Sequence, residues 1–159
     1  MESAAEHAHA ETAPGLNRLA VTATNHCLTG CVIGEVAGMA IATALGWGNG
    51  AQIALAVALA YLFGFSLTSI PLFRAGLTLG VVVSTALAVD ALSITIMEAV
   101  DNLTVVVWPG AMDAGLGDVL FYGSIAAGFA IAYPFAFLAN RYLIARGRGH
   151  ALVHEHHAR

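Results

Sequence analysis

"AQIALAVALAYLFGFSLTSI", residues Ala51 to Ile70, contains no charged side chain and is followed at once by Pro71. A helix of roughly 20 such residues, rising about 1.5 Å each, covers the roughly 30 Å of hydrocarbon in a bilayer. The stretch therefore reads as a membrane span. Three further runs share its character: Val21 to Trp47, Ala75 to about Met97, and Val119 to Ile144. The whole chain agrees, with 58% hydrophobic residues, 10% charged residues and a mean hydropathy of +0.78. A soluble domain carries about 25% charged residues. So few charges cannot cover a water-facing surface, but they suit a surface that meets lipid.

The expected fold is all-α, a polytopic membrane protein built as a four-transmembrane-helix bundle with cytoplasmic termini. Residues 18–145 form the membrane domain. Residues 1–17 read as a disordered polar tail, lacking the basic and apolar regions of a cleavable signal peptide. Residues 146–159 read as a His-rich tail. Between the third and fourth spans, "DNLTVVVWPGAMDAGLGD" (residues 101–118) is too short and interrupted to cross. It either extends the third helix or lies in the interface.

Arginine placement sets the expected orientation. The chain has six arginines and no lysine: Arg18, Arg74, Arg141, Arg146, Arg148 and Arg159. In a four-span arrangement all six fall on one side. The positive-inside rule makes that side cytoplasmic, in a bacterial inner membrane. Trp47, Trp108 and Phe121–Tyr122 then lie near the opposite interface, where aromatic rings collect. No basic patch with interleaved aromatics points to nucleic acid.

The first span carries the chemistry. "NHCLTGCVIGEVAG", Asn25 to Gly38, brings His26, Cys27, Cys31 and Glu35 into an apolar helix. Cys27 and Cys31 are an i,i+4 pair, and Glu35 continues the row one turn on. His26 lies about 100° away and joins them only if the helix distorts or a neighbour helps. Thiolate, imidazole and carboxylate suit Zn(II), and thiolate with imidazole or thioether suits Cu(I). His26, Cys27, Cys31 and Glu35 are thus candidate ligands of a transition-metal ion, copper or zinc. The alternative is ordinary packing, since free cysteine is often a small buried hydrophobe. Gly30, Gly34 and Gly38 form a small-residue row for close helix contact, and a homo-oligomer through these glycines is expected.

The third span adds a polar face. Asp90, Ser93, Met97, Glu98 and Asp101 stand at i, i+3, i+7, i+8 and i+11. Asp90, Met97 and Asp101 fall within about 40° of one another on a helix. Asp90, Met97, Glu98 and Asp101 are candidate members of an ion pathway. Glu98 and Asp101 equally read as solvated groups at a helix end closed by Asn102. An intramembrane carboxyl is a candidate ion or proton site by default, and no Lys or Arg lies within a span to pair with it. Glu35 and Asp90 are expected at similar depth, on spans of opposite direction, sharing a proton or a cation between them. The tails repeat the ligand theme with His7, His9, His150, His154, His156 and His157, a metal-binding composition or simply a titrating tail.

"NHCLTGCVIGE", "DALSITIMEAVDN" and "PGAMDAGLGD" together resemble a family of uncharacterised bacterial four-span membrane proteins, a domain of unknown function. The resemblance covers residues 21–153 and implies a membrane fold in a bacterial inner membrane. It implies no activity. The residues themselves point to a membrane protein that binds, and passes, a transition-metal cation through a Cys/His/carboxylate site. The alternatives are a structural or accessory membrane subunit, and a proton or cation channel using only the carboxylates. An enzyme is the less favoured class, because there is no nucleotide loop, GxSxG or triad; a membrane thiol oxidoreductase stays an alternative, although Cys-x3-Cys lacks CxxC geometry. The orientation is testable: a reporter fused after Gly149 is expected to be active only as a cytoplasmic fusion, and periplasmic activity would overturn the arginine argument.

Overall fold

The computed structural model describes residues 13–146, and these are all-helical, without strands. Helix α1 spans Ala13–Ala44, α2 Asn49–Arg74, α3 Leu79–Val107 and α4 Val119–Ala145, with a 3-10 turn at Ala111–Asp113 before α4. The expected tails lie outside the described residues, apart from the start of α1 and the end of α4, and so do their six histidines.

Three of these helices are individually long and apolar enough to cross a membrane: Gly15–Ala44, Asn49–Arg74 and Val119–Ala145. The third run qualifies only as a bent pair, Leu79–Ala88 with Asp90–Val107, meeting at 43°. Large apolar side chains such as Leu62, Leu103, Val107, Val119, Phe135 and Leu138 point outward, while Glu35, Asp90 and Asp101 are buried. That inversion of a soluble protein's pattern fits a lipid surround.

Two boundaries differ from expectation. Helix α2 does not stop at Pro71 but continues through it to Arg74. A proline near a helix end removes one backbone bond there, and the chain stops one turn later instead. The stop is a left-handed Gly76 (φ 80°), with Gly76 N–H donating to Phe73 O and Leu77 N–H to Leu72 O. This is the paired-bond ending that glycine permits. Helix α3 runs past Met97 and Asn102 to Val107, so residues 101–107 extend the helix. Asp101 and Asn102 do not terminate it.

The helices pair as two close hairpins, α1 with α2 and α3 with α4, joined along α1–α4 and α2–α3. Along the first seam glycine and alanine meet backbone to backbone. A Cβ placed on Gly30 would lie 2.6 Å from the Gly64 Cα. One on Gly34 would overlap the Ala60 backbone, and one on Gly38 the Ala56 backbone. On α2 the matching row is Ala56, Ala60 and Gly64, all buried. The expected use of Gly30, Gly34 and Gly38 as a contact to a second copy is therefore corrected: that row is filled by α2 of the same chain. A loop of only Leu45–Gly48 holds the two helices antiparallel and brings the rows together.

Arg18, Arg74, Arg141 and Arg146 gather at one end of the bundle, where Arg141 Nε donates to Asn17 Oδ1 at 2.8 Å. Gly34→Leu is expected to destabilise the purified protein by about 1–3 kcal/mol or more, because the added side chain has only backbone to displace. Gly123→Leu, where a Cβ meets nothing within 4 Å, is the control. Equal thermal midpoints in detergent would count against the seam.

Candidate functional site

The face of α1 beside the glycine row turns Cys27, Cys31 and Glu35 into the bundle, with exposures of 1%, 0% and 1%. Their four-residue spacing puts each one turn above the last. Helix α3 answers with carboxyls. The Cys27 thiol donates to Asp90 Oδ1 at 3.6 Å. Cys31 lies beside Glu98, and the carboxyls of Glu35 and Asp101 face one another. Partners rise in number together on both helices, so α1 and α3 run parallel, and the contacts form three successive rungs.

This pattern corrects the expected Glu35–Asp90 unit. First and third helices of an up-and-down bundle point the same way, not in opposite directions. Glu35 stands two turns, about 12 Å, from the Cys27 level that Asp90 occupies. Its carboxyl neighbours are Asp101 and, one turn earlier on α3, Glu98. Glu98 and Asp101 are not solvated at a helix end, with exposures of 4% and 0%.

Each rung has polar atoms left over. Glu35 Oε2, Asp90 Oδ2, Glu98 Oε1 and both Asp101 carboxyl oxygens are buried without a hydrogen-bond partner among the described residues. An intramembrane acid costs about 2.5–3.5 kcal/mol even on insertion scales, and buried polar groups are normally paired. Such a concentration of unanswered oxygens on one seam marks it as the candidate site.

The lowest rung is wider than its pair. His26 is half-buried in a regular helix, and its Nε2 is buried and unpartnered. It lies within charge–charge range of Asp90. The Thr68 hydroxyl, from α2, also borders Asp90 and has no other partner. His26 thus joins through Asp90, without distortion of α1. Met97 is fully buried in the same cluster as Cys27, Cys31 and Ile94.

The expected ligands His26, Cys27, Cys31 and Glu35 do not come together as one metal set. Among the described residues no three His, Cys, Asp or Glu side chains are placed to hold a metal ion. Four positions on one helix span more than two turns, with His26 and Cys27 turned to Asp90, Cys31 to Glu98 and Glu35 to Asp101. The carboxylates of the expected ion pathway do line one seam.

Residues beyond the sequence-based expectation complete the interior. Asn140 of α4 donates through Nδ2 to Thr24 Oγ1 of α1 and Ser93 Oγ of α3, both at 3.0 Å. Thr24 in turn donates to Ala20 O at 2.7 Å. A lone amide inside the apolar fourth run was the available signal for Asn140. Gly128 carried none: a Cβ there would overlap the Asp101 carboxyl and come within 2.9 Å of its Cα. Gly128 is what lets Asp101 turn inward against α4.

Fold and site together define an all-helical protein with membrane-length helices packed around a buried thiol and carboxyl row. The chain belongs to the family described as Domain of unknown function (DUF4396), whose model matches residues 17–149. No curated protein and no solved structure matches it.

Asn140→Leu keeps the number and branching of the side-chain heavy atoms and removes both interhelical bonds. It is expected to cost about 0.6–2 kcal/mol, the range measured for such bonds in membrane proteins. Unfolding of the purified variant in detergent checks this, and unchanged stability would show the amide to be dispensable.

Proposed function

We propose that the protein is a four-span bundle of the bacterial inner membrane, with cytoplasmic termini, that binds a cation and passes it along the row between α1 and α3. The observation that carries this reading is the set of three rungs, Cys27–Asp90, Cys31–Glu98 and Glu35–Asp101, with buried oxygens that no described donor satisfies. Two carboxyls facing each other away from water repel when both are ionised. A shared proton or an intervening cation removes the repulsion. Rungs one to two turns apart then offer successive stations for the same charge.

A transition-metal cargo is the second reading. It is favoured by Cys27, Cys31 and Met97 lying in one buried cluster, a set of sulfur atoms suited to Cu(I). Each thiol also lies beside a carboxyl able to take its proton as a metal binds. On this reading the side chains must draw together around the ion. Elemental analysis separates the two: a Cys27→Ser, Cys31→Ser protein that retains bound metal like the parent leaves only the carboxylate route.

For the leading reading, Glu35→Gln and Asp101→Asn are each expected to lower cation or proton flux into liposomes by 10-fold or more. The double variant should lose much less than the product of the two factors, because the pair titrates as one unit. Gel filtration controls for folding. Well-folded single variants with parental flux, or losses that multiply, would refute the shared station.

A further inference from the structure

The interior row needs a way in, and one side of the bundle supplies it. Between α2 and α3 lies a groove of about 300 Å³, lined by Ile53, Val57, Tyr61, Thr95, Glu98 and Asn102 among others. It occupies the half of the bundle nearer the residue 108–118 connection, since it runs from the start of α2 to the last turns of α3. A second groove on the other flank of α3, about 350 Å³, is lined by Ile96, Val100, Phe135 and Leu138 and has no polar side chain. Two grooves flank one helix at one depth, yet only the α2–α3 groove carries a hydroxyl pair, an amide and an acid.

Glu98 stands where that groove meets the row. Its Oε2 accepts from Asn102 Nδ2 at 3.4 Å, and Asn102 also donates to the Glu98 backbone carbonyl at 2.9 Å. Its Oε1 is buried without a partner, and its carboxyl lies beside Cys31 of the middle rung. Tyr61 OH and Thr95 Oγ1 form a hydrogen bond across the groove, and Thr95 also donates to Ala91 O. A hydroxyl bridge between helices, one turn below an acid with one oxygen hydrogen-bonded to Asn102 and the other buried, suits a wetted wall better than an acyl chain, which satisfies no polar group.

We propose that the α2–α3 groove is a water-filled vestibule for a small hydrated cation, and that Glu98 is the side chain that transfers it to the interior row. The proposal rests on the cation-passing reading for its purpose but not for its test. The Glu98 carboxylate at the inner side of the groove attracts cations and repels anions within a Debye length, so the vestibule should discriminate by charge.

The test is thiol labelling of the full chain in vesicles, with Val57→Cys as the probe and Val100→Cys in the apolar groove as the control. The native Cys27 and Cys31 are fully buried, and the parent protein sets their baseline. The reagents are the trimethylammonium-ethyl and sulfonato-ethyl methanethiosulfonates, added on the side of the 108–118 connection. The Val57→Cys thiol is expected to react with the cationic reagent at least 10-fold faster than the Val100→Cys thiol. It should also prefer the cationic over the anionic reagent, and Glu98→Gln should abolish that preference. Equal, slow labelling at both positions would mean that lipid or a second copy fills the groove, and would overturn the proposal. Fast labelling without charge preference would overturn the cation role. Labelling needs no flux, so a vestibule labelled as expected in a protein that passes no cation defeats the transport reading alone.

Discussion

The backbone contact between α1 and α2 governs what else the bundle can do. With Gly30, Gly34 and Gly38 pressed on Gly64, Ala60 and Ala56, neither helix can rotate about its own axis without driving a Cβ into backbone. Lipid offers no hydrophobic drive for helices to associate, so close packing and interhelical hydrogen bonds must hold them. Once the glycine face of α1 is committed to α2, the neighbouring row of Cys27, Cys31 and Glu35 has one direction left, inward to α3. The polar site is a consequence of where the small residues are.

The second hairpin repeats the logic with one difference. Gly128 removes a side chain so that Asp101 can occupy its space. Asn140 then ties α4 to both α1 and α3 two turns or more below. A polar core that is pinned at one end and under-satisfied along its length is an unusual use of membrane interior. Structural glue ends in paired groups, as Asn140, Thr24 and Ser93 do. The carboxyls of the three rungs do not: Glu35, Asp90, Glu98 and Asp101 each keep a buried oxygen without a partner among the described residues.

The bend of α3 falls at the level of the lowest rung. Leu79–Ala88 and Asp90–Val107 meet just before Asp90, the residue that faces Cys27, Thr68 and His26. Bent or interrupted helices in membranes are tolerated where backbone is covered by protein or lines a polar cavity.

Much of this was legible in the chain itself. Apolar runs of span length determined the helices, because a 20-residue apolar stretch has few other uses. The i,i+4 spacing of Cys27, Cys31 and Glu35 determined that they share a face, and the spacing of Asp90, Met97 and Asp101 did the same for α3, since 3.6 residues per turn is a local property. Spacing is silent on which face meets which. Only tertiary structure decided that the glycines serve α2 and not a second copy, that Glu35 meets Asp101 and not Asp90, and that His26, Cys27, Cys31 and Glu35 are divided among three partners. Those outcomes depend on helix direction and rotation, which are set by backbone approach distances summed over several helices. No single segment carries that information, and a residue such as Gly128 shows its role only by the atom that occupies the space it leaves.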